Sequence, residues 1–201
     1  MDNITDRSME LRWEQKWPRL LRQSIHEQFW TKSPSSRHTL SLIWWRYIDD
    51  LFLLWTHSKE KLNDFITYLN NLHPTIKFTS SFSYNEVPFL DVKVMLLNGR
   101  LETDLYVKPT DKHHYLLKSS CHPSHTKQSI PFSMALRLRR ICSTDEFFNT
   151  RSDALTSHLI KRGYKYRFVK DEIDKVRQIP RSRALKTSTK KDTQSPTEFH
   201  L

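Results

Sequence analysis

Two adjacent carboxylates, Asp49 and Asp50, stand in the middle of LIWWRYIDDLFLLW, residues 42–55, with apolar residues on either side. Acids in such surroundings are costly to bury unless a cation neutralises them. Held at a tight turn, the pair can seat divalent magnesium. Two such ions about 4 Å apart stabilise the attacking and leaving oxygens of phosphoryl transfer. The plainer reading is an acidic turn, because Asp favours turns on its own account. The strong apolar runs on both flanks favour the metal reading. A second set of residues is basic: Lys118, Lys127, Arg137, Arg139 and Arg140. Such side chains form either a solvated face or a row of phosphate contacts whose affinity falls steeply with salt. A third group, His113, His114, Cys121, His122 and His125, is crowded together but lacks the Cys-x₂₋₄-Cys or His-x₃₋₅-His spacing of zinc ligands. Cys121 sits in no nucleophile motif.

The elements that must position these groups are legible in part. The runs flanking Asp49 and Asp50 read as two buried strands meeting at a tight turn. Ser58 is placed to cap a helix reaching about Leu72, with Leu62, Phe65, Ile66, Leu69 and Leu72 on one face and His73-Pro74 as its stop. Ile76, Phe78 and Phe82 follow at strand spacing. VPFLDVKVML (87–96), Asn98-Gly99 and LETDLYV (101–107) then read as a hairpin. From about Ser129 the period becomes helical. Three helices are expected: one with Met134, Leu138, Ile141 and Cys142, one over Asp145–Arg162 closed by Gly163, and one over Arg167–Ile179 ended by Pro180. Helix–Gly–helix at this spacing allows a helix-turn-helix, although small helical bundles share the pattern. Residues 1–43 read as helical, with Met9, Trp13 and Trp17 recurring every fourth position, then a polar linker TKSPSSRHT; residues 181–201 read as a disordered basic tail.

Charge narrows the partner. The 201 residues carry 33 Lys+Arg against 22 Asp+Glu, a net +11. Residues 1–110 hold 14 basic and 13 acidic side chains, and 111–201 hold 19 and 9, so the second half carries +10. A field so one-sided is the footprint of a polyanion, above all nucleic acid. Only two glycines occur, Gly99 and Gly163, which excludes P-loops and dinucleotide fingerprints. Arg46, Asp49 and Asp50 break the most apolar window, so no membrane partner is expected. Met1–Glu14 does not read as a signal peptide, and two cysteines without a disulfide framework fit a reducing compartment. The expected location is intracellular, nuclear ahead of cytoplasmic. Oligomeric state is not legible.

RYIDDLFLLW (46–55) resembles the Tyr-x-Asp-Asp signature of reverse transcriptases. Further blocks follow in order: LHPTIKFTSSFS (72–83), VPFLDVKV (87–94), LETDLYVKPTDKHHYL (101–116), SSCHPSHTKQSIPFSMALRLRRICS (119–143) and LIKRGY (159–164). Together they resemble the reverse transcriptases of Penelope-like retroelements, over about Trp45 to Pro180, some two thirds of the chain. The resemblance implies an α+β fold: a partial polymerase palm of antiparallel strands and a helix over 44–117, then a basic thumb of about three helices over 118–180. It implies magnesium-dependent nucleotidyl transfer, with an RNA template, a DNA primer and deoxynucleoside triphosphates as partners. Asp49 and Asp50 become the metal ligands and Tyr47 a neighbour of the primer terminus. Lys77 becomes the candidate general acid for pyrophosphate. Lys118, Lys127, Arg137, Arg139 and Arg140 become contacts to the primer–template duplex.

The departures from that family are as informative. Such palms need a further aspartate on an earlier strand, yet the only upstream aspartates are Asp2 and Asp6, in a segment read as having no strand pattern. The fingers and the glycine-containing template segment find no counterpart in residues 1–43, and the GIY-YIG endonuclease module that accompanies many such enzymes finds none either. The expectation is therefore the C-terminal half of a polymerase, truncated, decayed or incompletely predicted as a gene, and inactive alone. The alternative is a non-catalytic nucleic-acid-binding module retaining only the basic thumb; a decayed reading frame without a role is a third.

Overall fold

The computed structural model describes residues 7–13, 41–71, 74 and 77–186. It is a mixed α and β structure whose chain divides into two compact units, Met1–His114 with Ile141–Asp153, and Tyr115–Arg140 with Ala154–Leu201.

The first unit is organised by strand pairing. Strands β1 (Arg7–Trp13), β2 (Ser41–Tyr47) and β3 (Asp50–Trp55), with β4 (Phe78–Ser83), form an antiparallel sheet in the order β2-β3-β1-β4. Helix α1 (Lys59–Asn71) connects β3 to β4. Strands β5 (Glu86–Phe89), β6 (Val92–Leu97) and β7 (Arg100–Leu105) form a second antiparallel sheet. Leu51 to Trp55 are all buried, so β3 is covered on both faces. On one, the Trp55 ring meets Phe65 of α1 at 5.4 Å between centroids. On the other, Phe52 clusters with Val87 and Val94, against Phe89 and Val92. Each large apolar side chain so buried contributes about 1.5–3 kcal/mol. Helix α1 starts where the sequence places it: Lys61 N–H donates to the Ser58 hydroxyl at 3.4 Å, and Leu62, Phe65 and Leu69 turn inward. Asn98 and Gly99, with φ of 50° and 72°, make the β6–β7 turn of the two-residue type in which both positions are left-handed.

One sequence expectation is overturned here. The opening segment is not helical where it is described: Arg7–Trp13 is a strand in the interior of the sheet, paired with β3 and with β4. Met9, Leu11 and Trp13 alternate with Ser8, Glu10 and Arg12, a period of two that also suits a strand. Sheet pairing on both sides outweighs the weak four-residue spacing of Met9 and Trp13. Trp17, the last member of the expected helical spacing, and the TKSPSSRHT linker lie outside the described residues.

The stretch Ile141–Asp153 is tied to β7. Thr103 donates through its hydroxyl to the Ile141 carbonyl at 2.6 Å, and its amide donates to the Ser143 hydroxyl at 3.0 Å. Next to it Asp104, buried, accepts from Arg151 Nε at 2.9 Å and from the Leu105 amide at 2.7 Å. Burial pushes the Asp104 carboxyl up, but the Arg151 guanidinium and the Leu105 amide outweigh it and hold the group below its usual 3.8.

Four helices follow in the chain: α2 (Ser124–Ile141), α3 (Asp145–Lys161), α4 (Tyr166–Arg177) and the short α5 (Arg181–Ala184). The second unit takes the loop from Tyr115, α2 as far as Arg140, α3 from Ala154, and α4 and α5, while the start of α3 belongs to the first unit. Helix α2 begins five residues before the expected Ser129 and runs through Pro131. Gly163, at φ 86°, ends α3: its amide donates to the Ile160 carbonyl at 2.9 Å and the Tyr164 amide to the Leu159 carbonyl at 3.2 Å. That pair of bonds is a Schellman cap, and Leu159 and Tyr164, which occupy the positions of its apolar pair, are both buried. The tail expected to be disordered from residue 181 is ordered at first, since Ala184 is buried and its carbonyl accepts from Arg140 Nε at 2.8 Å. Residues 187–201 lie outside the described residues. No helix among the described residues is long and apolar enough to cross a membrane.

A depressed carboxyl pKa contributes stability that is complete above the unfolded value and lost as pH falls through the folded one. Thermal unfolding followed by circular dichroism should therefore show stability declining below about pH 4, and Asp104→Asn should flatten that decline. At neutral pH the same variant should cost about 3 kcal/mol, the effect of leaving Arg151 without its partly buried counter-charge.

Candidate nucleic-acid interface

The acidic turn has the geometry that its sequence implies. Tyr47 pairs with Asp50, leaving Ile48 and Asp49 as a two-residue loop. Ile48 has φ 51°, a left-handed conformation that costs a β-branched residue roughly 1–3 kcal/mol. Arg46 braces the loop, donating from Nε to the Ile48 carbonyl at 3.0 Å. Asp49 and Asp50 are half-buried, whereas Tyr47 and Trp45 stand 55% exposed. Trp45 stacks on Phe52 with centroids 5.7 Å apart. The chain thus holds two acids and an open aromatic ring at one end of the sheet.

Register shows what stands beside them. Asp50 is opposite Arg12 on β1, and Arg12 is opposite Thr79 on β4. Lys77 directly precedes β4, so the sheet brings it to the same end as Asp49 and Asp50, two strand spacings away, roughly 10 Å. Its ammonium donates to the Asn70 carbonyl at 2.7 Å, closing the last turn of α1. Asn70 reinforces that closure: its side chain accepts from the Phe78 amide at 2.6 Å and donates to the Phe78 carbonyl at 3.2 Å. Lys77 therefore has a structural task at the helix end besides the general-acid role expected of it.

Magnesium can be tested against this donor set. A two-metal centre needs carboxylates converging from more than one strand. Strand β1, which lies beside β3, carries one acid, Glu10, at the Phe52 register, and an arginine opposite Asp50. Among the described residues no three His, Cys, Asp or Glu side chains form a group that could hold a metal ion. The described residues do not fit a two-metal site. The crowded His113, His114, Cys121, His122 and His125 likewise form no such group.

In the second unit the basic residues singled out from sequence are built into the fold. Lys118 donates its amide to the Arg162 carbonyl at 3.0 Å, and its ammonium lies 5.5 Å from the Tyr164 ring centre and 5.6 Å from that of Phe168. Lys127 donates to the Ser120 carbonyl at 2.8 Å. Arg139 Nε donates to the Ile179 carbonyl at 2.9 Å and Arg140 Nε to Ala184, satisfying main-chain acceptors at and beyond the end of α4. Arg137 is exposed on α2. The structure also sets apart a basic run that the sequence reading did not single out, around the α3–α4 turn. Its signal was present in KRGYKYRFVK (161–170), ten residues with five cations and no acid.

Two helices joined by the tight Arg162–Lys165 turn define a class of small domain, and the comparison with protein families agrees. Residues 114–174 match the family model described as the animal helix-turn-helix domain, so a helix-turn-helix domain is present in this part of the chain. No curated protein and no solved structure matches the chain.

Asn70→Ala removes both side-chain bonds to Phe78. Denaturant unfolding should show a loss of about 2 kcal/mol, and Lys77→Ala a smaller loss of about 1 kcal/mol.

Proposed function

We propose that this chain binds duplex nucleic acid through its helix-turn-helix domain, and that the neighbouring sheet is a polymerase palm of Penelope-like reverse-transcriptase type with an incomplete metal site. The observation that carries the first part is the domain at 114–174, lying in the half of the chain with the basic excess. Its apolar residues Leu155, Leu159, Tyr164, Val169, Ile173 and Val176 are turned inward, which leaves cations facing solvent. A basic surface on a rigid helical scaffold attracts the phosphate backbone and releases its counterions.

Three features support the palm reading. The strand order β2-β3-β1-β4, with α1 crossing from β3 to β4, joins distant segments into one sheet. The Tyr-x-Asp-Asp turn lies at an end of that sheet, with a strained Ile48. Lys77 lies at the same end. Parent chemistry would be template-directed nucleotidyl transfer with magnesium, RNA template, DNA primer and deoxynucleoside triphosphates. Among the described residues no third acid joins Asp49 and Asp50 to hold a metal, which argues that this chain does not perform it alone.

Fluorescence anisotropy of the full chain with a labelled DNA duplex should show binding whose logarithm falls linearly with log salt, and Asp50→Asn should leave it intact. No binding at low salt would refute the proposal. Primer extension on an RNA template with magnesium should give no product; extension abolished by Asp49→Asn would show a working polymerase instead.

A further inference from the structure

We infer that the duplex is engaged by the outward side of residues 161–170, with Lys165, Arg167 and Lys170 on phosphates and Tyr166 against base edges in a groove. The inference rests on the nucleic-acid reading above and names the contact surface within it. Five cations and no acid fall within these ten residues, and α4 has no acid in its first turn. Lys161, Lys165, Tyr166, Arg167 and Lys170 are all exposed, Tyr166 at 56%. Tyr164 and Val169 are buried between them, so the rotation of α4 is fixed and these side chains have a defined direction.

The two halves of α4 differ in how their cations are paired. In the second half of α4, Lys175 is paired with Glu172 and Arg177 with Asp174. Neither Lys165 nor Arg167 has an ion-pair partner among the described residues. In the C-terminal half of the helix each cation is thus paired, whereas in the N-terminal half Arg167 and Lys170 outnumber the single acid there, Asp171. Lys170 lies over the Tyr166 ring, 5.9 Å from its centre, one helical turn away, so the two side chains share one exposed face. Lys118, Lys127, Arg139 and Arg140 already donate to main-chain carbonyls or cover aromatic rings within their own unit. The outward 161–170 face carries no such commitment to main-chain carbonyls.

Phosphate contacts and base contacts fail differently when removed. Loss of a phosphate cation lowers affinity for all sequences and flattens the salt dependence, whereas loss of a groove contact lowers discrimination. The test uses the full chain, a fluorescein-labelled DNA duplex, and a second duplex selected by the wild-type chain from a random library. Lys165→Ala with Arg167→Ala should lower affinity about tenfold or more and reduce the salt slope by about 2. Lys175→Ala with Arg177→Ala removes the same net charge and should leave affinity within about twofold. Equal losses in the two double variants would mean that binding follows net charge, and the contact surface would be wrong while the nucleic-acid reading stood. Tyr166→Ala should lower the preference for the selected duplex about fivefold with the salt slope unchanged. An unaltered preference would remove the groove contact. A wild-type chain that binds no duplex at low salt would end both readings. All the variants alter exposed side chains, and circular dichroism should confirm that they fold.

Discussion

Strand β3 is covered on both faces, and the first unit is arranged around that fact. Leu51, Leu53 and Trp55 face one way, and Phe52 and Leu54 the other. A strand with two apolar faces needs a layer on each side, and here α1 and the three-stranded sheet supply them. It also needs hydrogen-bonding neighbours along both edges, which β2 and β1 provide. Asp50 begins this strand. The acids therefore stand where the most buried element of the unit emerges, and a loop fixed by that pairing carries Ile48 in a conformation that an isolated turn would not hold.

The second unit depends on a smaller device of the same kind. Gly163 reverses the chain after α3, and the two amides beyond the helix satisfy its last carbonyls. The Lys118 amide supplies a further bond at Arg162. A Cβ at Gly163 would meet Lys118 Cβ at 3.6 Å, an ordinary contact, so glycine is required there by its φ rather than by space. The angle between α3 and α4 follows from these bonds and from Leu159 and Tyr164 beneath them. The direction of the basic side chains on α4 follows in turn.

Much of this was legible in the sequence, for physical reasons. The Asp-Asp hairpin, the Ser58 cap, the Asn98-Gly99 turn and the Gly163 helix end are local signals, each carried by residues a few positions apart. The strand at Arg7–Trp13 was missed because its seven residues gain their strand character from partners 38 and more positions away, while Met9 and Trp13 also fit a helical spacing. The arginines of α2 were legible as cations but not as hydrogen-bond donors to Ile179 and Ala184, since those acceptors are distant in sequence. The same limit hid the 161–170 face. Its charge is plain in the sequence, but only the pairing of Lys175 and Arg177 with neighbouring acids distinguishes it from the rest of α4.

The two cysteines occupy opposite environments. Cys121 is exposed; Cys142 is buried, and desolvation together with the Asp104 charge pushes its thiol up to about 11. Near pH 8 only about one molecule in a thousand would carry the Cys142 thiolate, even if an alkylating reagent could reach it. An electrophile added to the native chain thus modifies one sulfur, which lets a fluorophore or cross-linker be installed at Cys121 without mutagenesis. Slow capture of the second sulfur then clocks how often the packing around Asp104 and Arg151 comes apart.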